Sequence, residues 1–272
     1  MTQRERREYL INYLLNENSQ YKDIEVPQAD DEQKYLFRSL VNVRQPLPAS
    51  DEFLKIQDEY LAEENRSRGI TDIADLEAVA DHEDLFLWRG DITTLKVDAI
   101  VNAANSGMTG CWHPNHSCID NCIHTFAGIQ LRSVCADIIQ KQGHEEPTGQ
   151  AKITPAFNLP SKYVLHTVGP IISGELSKQD FELLASCYRN CLTLAKEKVC
   201  TSIAFCCIST GVFRFPADRA AEIAVETVQE WKEENEMSGS SPNMTQGKMK
   251  VVFNVFSEKD EMIYRRVLNE RN

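Results

Sequence analysis

The chain of 272 residues predicts a three-layer α/β/α domain preceded by an all-helical amino-terminal region, and two observations carry that expectation. From residue 85 onward, short apolar runs alternate with amphipathic stretches, the pattern of a sheet covered by helices on both faces. The composition also breaks near residue 80. All nine cysteines lie beyond residue 110, whereas residues 1–80 hold no Cys, no His and one of the 12 glycines. The expected division is a helical extension over 1–80 and the α/β domain over 81–272.

In the extension, Tyr9, Leu10, Tyr13 and Leu14, and later Phe53, Ile56 and Tyr60, recur at helical spacing, which predicts three short helices. Asp30 with Gln33 reads as a capping box, Pro46 and Pro48 as stops, Ser50 as an N-cap and Gly69 as a C-terminal stop. No chemical constellation stands out there, so the extension reads as a platform or lid. Strands are expected at 85–89, 98–102, 151–156, 163–168, 202–208 and 249–256. Helices are expected at about 120–141, 178–198, 216–234 and 258–270, and Ser238-Gly239-Ser240-Ser241-Pro242 reads as a loop.

With 42% hydrophobic and 26% charged residues, the composition excludes fibrous, low-complexity and wholly disordered chains. A net charge of -12 lacks the basic footprint that phosphate-backbone binding needs, which argues against a nucleic-acid partner. No run approaches the roughly 18 apolar residues of a membrane span. The charged start, Met1 to Glu8, has no apolar stretch behind it, so the expected location is the cytoplasm, with no membrane partner. In that reducing compartment a clustered subset of nine cysteines reads as metal ligands or thiols before it reads as disulfides.

Ligands of such sheets sit beyond the carboxyl ends of the strands, and three loops there are unusual. Gly90-Asp91-Ile92-Thr93 places an Asp where its carboxylate can accept from an exocyclic amine such as that of adenine, or simply cap a turn. Asn102 and Asn105 leave the apolar run Ala99-Ile100-Val101 as carboxamides that suit ribose hydroxyls, or equally a turn. Ser209-Thr210-Gly211-Val212-Phe213 precedes Pro216 and offers backbone N–H groups to phosphate oxygens without Lys or Arg, with ordinary helix capping as the alternative. His166, in mid-strand, reads as a satisfied core histidine. Cys135, Cys187, Cys191, Cys200, Cys206 and Cys207 read as small core residues.

Taken together, these blocks resemble the macrodomain family, which binds ADP-ribose and in many members removes it from its carrier. The likeness runs over about residues 85–270. It rests on Gly90-Asp91-Ile92-Thr93, Val97 to Asn105, Ile119-Asp120-Asn121-Cys122-Ile123-His124, Ala127-Gly128, Tyr163 to Pro170 and Ile208-Ser209-Thr210-Gly211. The resemblance implies a mixed central sheet. It also implies Asp91 and Ile92 at adenine, Ser209 to Phe213 at the diphosphate, Asn105 with Asp120 at the distal ribose, Cys118 and Ile119 as further ADP-ribose-binding residues, and Asp120 and Asn105 as the catalytic residues.

One stretch departs from the common family pattern. Where many hydrolytic members carry a glycine run, this chain has Gly110-Cys111-Trp112-His113-Pro114-Asn115-His116-Ser117-Cys118-Ile119-Asp120. It looks like the zinc-containing branch, whose members remove ADP-ribose from proteins and whose helical extension is similar. That resemblance implies Cys111, His116 and Cys118 as ligands of one zinc ion per chain. Two thiolates and an imidazole would leave a fourth tetrahedral position open, as in catalytic sites, where zinc lowers the pKa of water or polarises an oxygen. Cys122 or His113 as a fourth ligand would instead close the site and make it structural, and metal-free thiols are a further alternative.

The expectation is thus a zinc-dependent hydrolase releasing ADP-ribose from mono-ADP-ribosylated protein, from acidic side chains, with Asp120 positioning or deprotonating the water. The rival readings are a module that binds ADP-ribose without cleaving it, and a hydrolase of a small metabolite such as acylated ADP-ribose.

Overall fold

The computed structural model describes residues 1–21, 23–80, 82–236 and 248–270; the loop expected at 238–242 lies outside them. The extension contains α1 (Gln3–Asn16), α2 (Asp30–Val43) and α3 (Asp51–Ser67). Ser50 caps α3 by accepting from Phe53 N, and Gly69 follows the helix with φ +83°. The capping box expected at Asp30 does not form. Ala29 is the N-cap without a side-chain bond, Asp30 pairs with the buried Arg7, and Gln33 is buried as the partner of Arg7, Glu8 and Pro27 O. A long-range buried guanidinium has outcompeted the local cap.

These three helices enclose their own apolar cluster, which includes Leu10, Ile11, Leu14, Phe37, Phe53 and Tyr60. Phe37 and Tyr60 meet edge to face with centroids 5.2 Å apart. The cluster reaches across the chain to Ile129, so the extension is docked, not loose.

The second part begins with β1 (Thr71–Asp72), β2 (Leu85–Arg89), β3 (Leu95–Lys96) and β4 (Ala99–Ala103). Then come α4 (Ile119–Ala127), α5 (Ile129–Gln142), β5 (Ala151–Pro155), β6 (Tyr163–Thr167), α6 (Lys178–Glu197), β7 (Ser202–Phe205), α7 (Ala217–Glu236), β8 (Lys250–Val255) and α8 (Glu258–Glu270). Six strands form one sheet in the order β2-β8-β7-β4-β6-β5, parallel except for β5, which runs antiparallel to β6. The sheet is mixed, as expected. Its interior strands read as unbroken apolar runs because both faces are covered, and Ile100, Val101, Leu165, Ile203, Val251 and Phe253 are all in the larger core.

Two differences from the expected elements have physical reasons. β1 and β3 pair over two residues each, too few for any alternation to register in a sequence. The single helix expected over 120–141 is two, α4 and α5, divided at Gly128 with φ +101°. A Cβ there would stand 2.7 Å from Gln57 Nε2 of α3, so the break is also where the extension docks.

Candidate active site

Because β2, β4 and β7 run parallel, the loops that follow them emerge on one edge of the sheet and gather Asp91, Asn105, Asp120 and residues 209–213 there. Asp91 caps a short 3-10 turn, and its Oδ1 accepts from Thr93 N at 2.9 Å and Thr93 Oγ1 at 2.6 Å. Its Oδ2 is paired with Arg68 of the extension. Ile92 is buried in the core, so only its backbone can face a ligand.

In the loop after β7, Ser209 holds a left-handed φ of +64°, its N–H and those of Gly211, Val212 and Phe213 have no backbone partner among the described residues, and Val212 is exposed. Gly169 lies so close that a Cβ would fall 2.0 Å from Ser209 Oγ. A strained residue followed by N–H groups without backbone partners has the geometry that can receive an anion.

The centre of the site is a buried polar network. Asn102 Nδ2 donates to Asp120 Oδ1 at 2.7 Å and lies 3.2 Å from His166 Nδ1, while Asn105 Nδ2 donates to Asp120 Oδ2 at 3.3 Å and to Gly110 O at 3.1 Å. His166 Nε2 lies 3.0 Å from Thr154 Oγ1, which makes it the satisfied core histidine expected. Burial pushes the Asp120 carboxyl up to about 6, against the Asn102 hydrogen bond and the Arg132 charge that lower it. Burial likewise holds His166 down at about 3 and His124 well below its ordinary range. His124 Nε2 stands 3.6 Å from Asp120 Oδ1, but a neutral imidazole at that distance is neither an ion pair nor a hydrogen bond.

Cys111, His116 and Cys118 come together on the loop before α4. Their donor atoms lie within 4.8 Å of one another, and Cys111 Sγ is 3.6 Å from His116 Nδ1. A tetrahedral zinc with the usual bond lengths needs S and N about 3.5 Å apart, so the donor set and its spacing fit. Cys122 and His113, the alternative fourth ligands, are not in this cluster: the Cys122 thiol accepts from Arg38 Nη2 at 3.4 Å, and the His113 ring is 6.0 Å from that of His116. Cys118 is the N-cap of α4, and Ile119 and Asp120 open the helix, so the last ligand stands two residues before the buried carboxylate.

Sequence reasoning missed four basic or imidazole side chains. Arg38 donates to His116 O at 2.8 Å and Asn121 Oδ1 at 2.9 Å, and Asn42 Oδ1 accepts from Asn115 N at 2.9 Å, so α2 pins the Cys111–Cys118 loop. Arg132, buried, donates to Thr109 O, Val41 O and Arg44 O and lies over Trp112 at 4.2 Å. Arg68 is described above. None of these three carries a local signal. His124 does, since it stands four residues after Asp120 and therefore on the same helix face.

The Macro domain family model matches residues 101–224. The chain is 64% identical over 271 residues to a protein-ADP-ribose hydrolase of Treponema medium, covering 99% of this chain and all of that one. It is 49% identical over 265 residues to a protein-ADP-ribose hydrolase of Staphylococcus aureus strain MRSA252, covering 97% and 95%. Among solved structures, the Oceanobacillus iheyensis macrodomain with ADP superposes with a TM-score of 0.60 at 38% identity, covering 70% of this chain and 93% of that one. The Trypanosoma brucei macrodomain in complex with ADP-ribose does so at 0.61 and 30% identity, covering 84% and 94%. With the family model, the full-length relatives and the solved macrodomains all in agreement, this chain belongs to the macrodomain family.

Proposed function

We propose that the protein is a hydrolase that releases ADP-ribose from mono-ADP-ribosylated protein, cleaving links to acidic side chains, and that it uses one zinc ion held by Cys111, His116 and Cys118. The observation that carries this reading is that the chain runs from that ligand cluster straight into α4, where Asp120, two residues after Cys118, has its two oxygens aimed by Asn102 and Asn105. Full-length relatives named protein-ADP-ribose hydrolase support the reaction, and solved neighbours holding ADP and ADP-ribose support the ligand.

In this reading the Asp91 carboxylate accepts the adenine amine and the N–H groups of Ser209 to Phe213 receive the diphosphate. Asn105, with Cys118 and Ile119, borders the distal ribose. Asp120 accepts a proton from the attacking water, and Asn102, itself held at His166, keeps the carboxylate from rotating. The bound zinc would polarise an oxygen at the reacting centre. Residues 1–80 form a helical unit that shapes the mouth of the site through Arg38, Asn42 and Arg68, and 81–272 the macrodomain proper.

A turnover assay on a protein carrying mono-ADP-ribose on Glu or Asp, run beside acylated ADP-ribose, tests the reading. Release of ADP-ribose from the protein, abolished in Asp120→Ala, is the expected result. Tight ADP-ribose binding with no release from either substrate would make the chain a binding module, and turnover of the metabolite alone would move the activity to a small molecule.

A further inference from the structure

Arg68, the C-cap residue of α3, crosses from the helical extension to the adenine end of the site. Its Nη2 bonds to Asp91 Oδ2 and donates to Thr93 Oγ1 at 2.8 Å, its Nη1 donates to Asn65 Oδ1 at 3.1 Å, and its guanidinium carbon lies over the Phe126 ring, 3.5 Å from the centroid. The side chain is 21% exposed and that of Asp91 37%, so the pair is half-sheltered. Arg68 lines a cavity of about 390 Å³ between α2, α3 and α4, together with Tyr60, Phe37 and Phe126.

Counting acceptor directions shows what this contact does. A carboxylate offers about four lone-pair directions. Thr93 N and Thr93 Oγ1 take both on Oδ1, and Arg68 takes one on Oδ2. A single direction remains, on Oδ2. Without Arg68 the Oδ2 atom would have no protein donor among the described residues, and the carboxylate could turn about its Cβ–Cγ bond at the cost of the Thr93 bonds alone.

We infer that Arg68 is a positioning residue for purine recognition: by occupying one side of Asp91 Oδ2 it leaves one acceptor direction, which selects an amino purine, and so makes the helical extension part of the adenine subsite. The inference rests on the reading above that Asp91 receives the adenine amine. Phe126 and Asn65 act one step further out, holding the guanidinium plane in the orientation that Asp91 needs.

The test is calorimetry on the full chain with two probes, ADP-ribose and its hypoxanthine counterpart, which lacks the exocyclic amine. Arg68→Ala should weaken ADP-ribose about tenfold and the hypoxanthine probe by less than threefold, narrowing the preference between them. Arg68→Lys, which keeps the charge but loses the planar fork, should recover part of that preference. In an Asp91→Ala background, Arg68→Ala should have no further effect on the ratio, because it acts only through Asp91. An unchanged preference in Arg68→Ala, equal weakening of both probes, or tighter ADP-ribose binding would overturn the inference. Failure of the underlying reading looks different: an unmodified chain that binds neither probe removes the proposed ligand, and Asp91→Ala with native preference removes Asp91, and Arg68 with it.

Discussion

Replacing Asp120 by Asn isolates the chemistry of its carboxylate, because the two side chains have the same shape and the surrounding donors decide the rest. Asn102 Nδ2 at 2.7 Å and Asn105 Nδ2 at 3.3 Å both point at Asp120 oxygens, so an amide can satisfy only one of them. The Asn102 contact is the buried one and its amide also serves His166, so the new carbonyl should turn there and leave the new NH2 against Asn105. Asn105 keeps its bond to Gly110 O. The structural loss is one long hydrogen bond and the downgrading of a charge-assisted bond to a neutral one, about 1–2 kcal/mol together. The chemical loss is larger, since removing a general base costs about 10²–10⁴ in rate. Single-turnover release of ADP-ribose from a modified protein should therefore slow at least about a hundredfold. Urea unfolding should shift by no more than about 2 kcal/mol, and ADP-ribose affinity by no more than about tenfold. Native single-turnover rates in folded Asp120→Asn would refute the assignment of Asp120 as proton acceptor and transfer that role to another group.

Chelation, or Cys118→Ala, should cut hydrolysis at least about a hundredfold and leave ADP-ribose binding within about tenfold; metal content per chain and turnover measured together would sink the zinc reading if metal-free folded protein kept its rate. Burial holds His166 at about 3 against 6.5 when unfolded, so the unfolded chain alone takes up that proton as pH falls below 6.5. Stability should then drop between pH 7 and 5, by about 2 kcal/mol from His166 with His124 acting in the same direction, and His166→Gln should remove that share; equal acid sensitivity of the two proteins in urea titrations would contradict it. Asn65 Nδ2 donates to Asn158 O at 2.7 Å and Phe126 O at 3.2 Å, so Asn65→Ala should cost about 1–3 kcal/mol by denaturant unfolding, whereas a neutral result would mean that α3 is not anchored at this point.

Much of the fold and the grouping of the candidate site residues were legible in the sequence. All six strands of the main sheet lie within a few residues of their expected spans because strands covered on both faces must be continuous apolar runs, and that is a local property. The triad Cys111, His116 and Cys118 was legible for the same reason: its members stand within eight residues, so chain connectivity brings them together. Asp91 and the Ser209 to Phe213 loop follow strands directly, and the rule that ligands sit at strand carboxyl ends locates them. Asp30 and Gln33 mark the limit of such reasoning, because a cap is a local preference worth about 1 kcal/mol and the buried Arg7 drew both side chains away from it. Tertiary structure alone decided which groups hold the site in shape. Arg38 reaches Asn121 across 83 positions, Arg132 reaches Val41 across 91, and Arg68 reaches Asp91 from a different helical unit. An arginine bound for such a contact has the same sequence signature as one bound for water, since its partner is chosen by the docking of two cores and not by its neighbours in the chain.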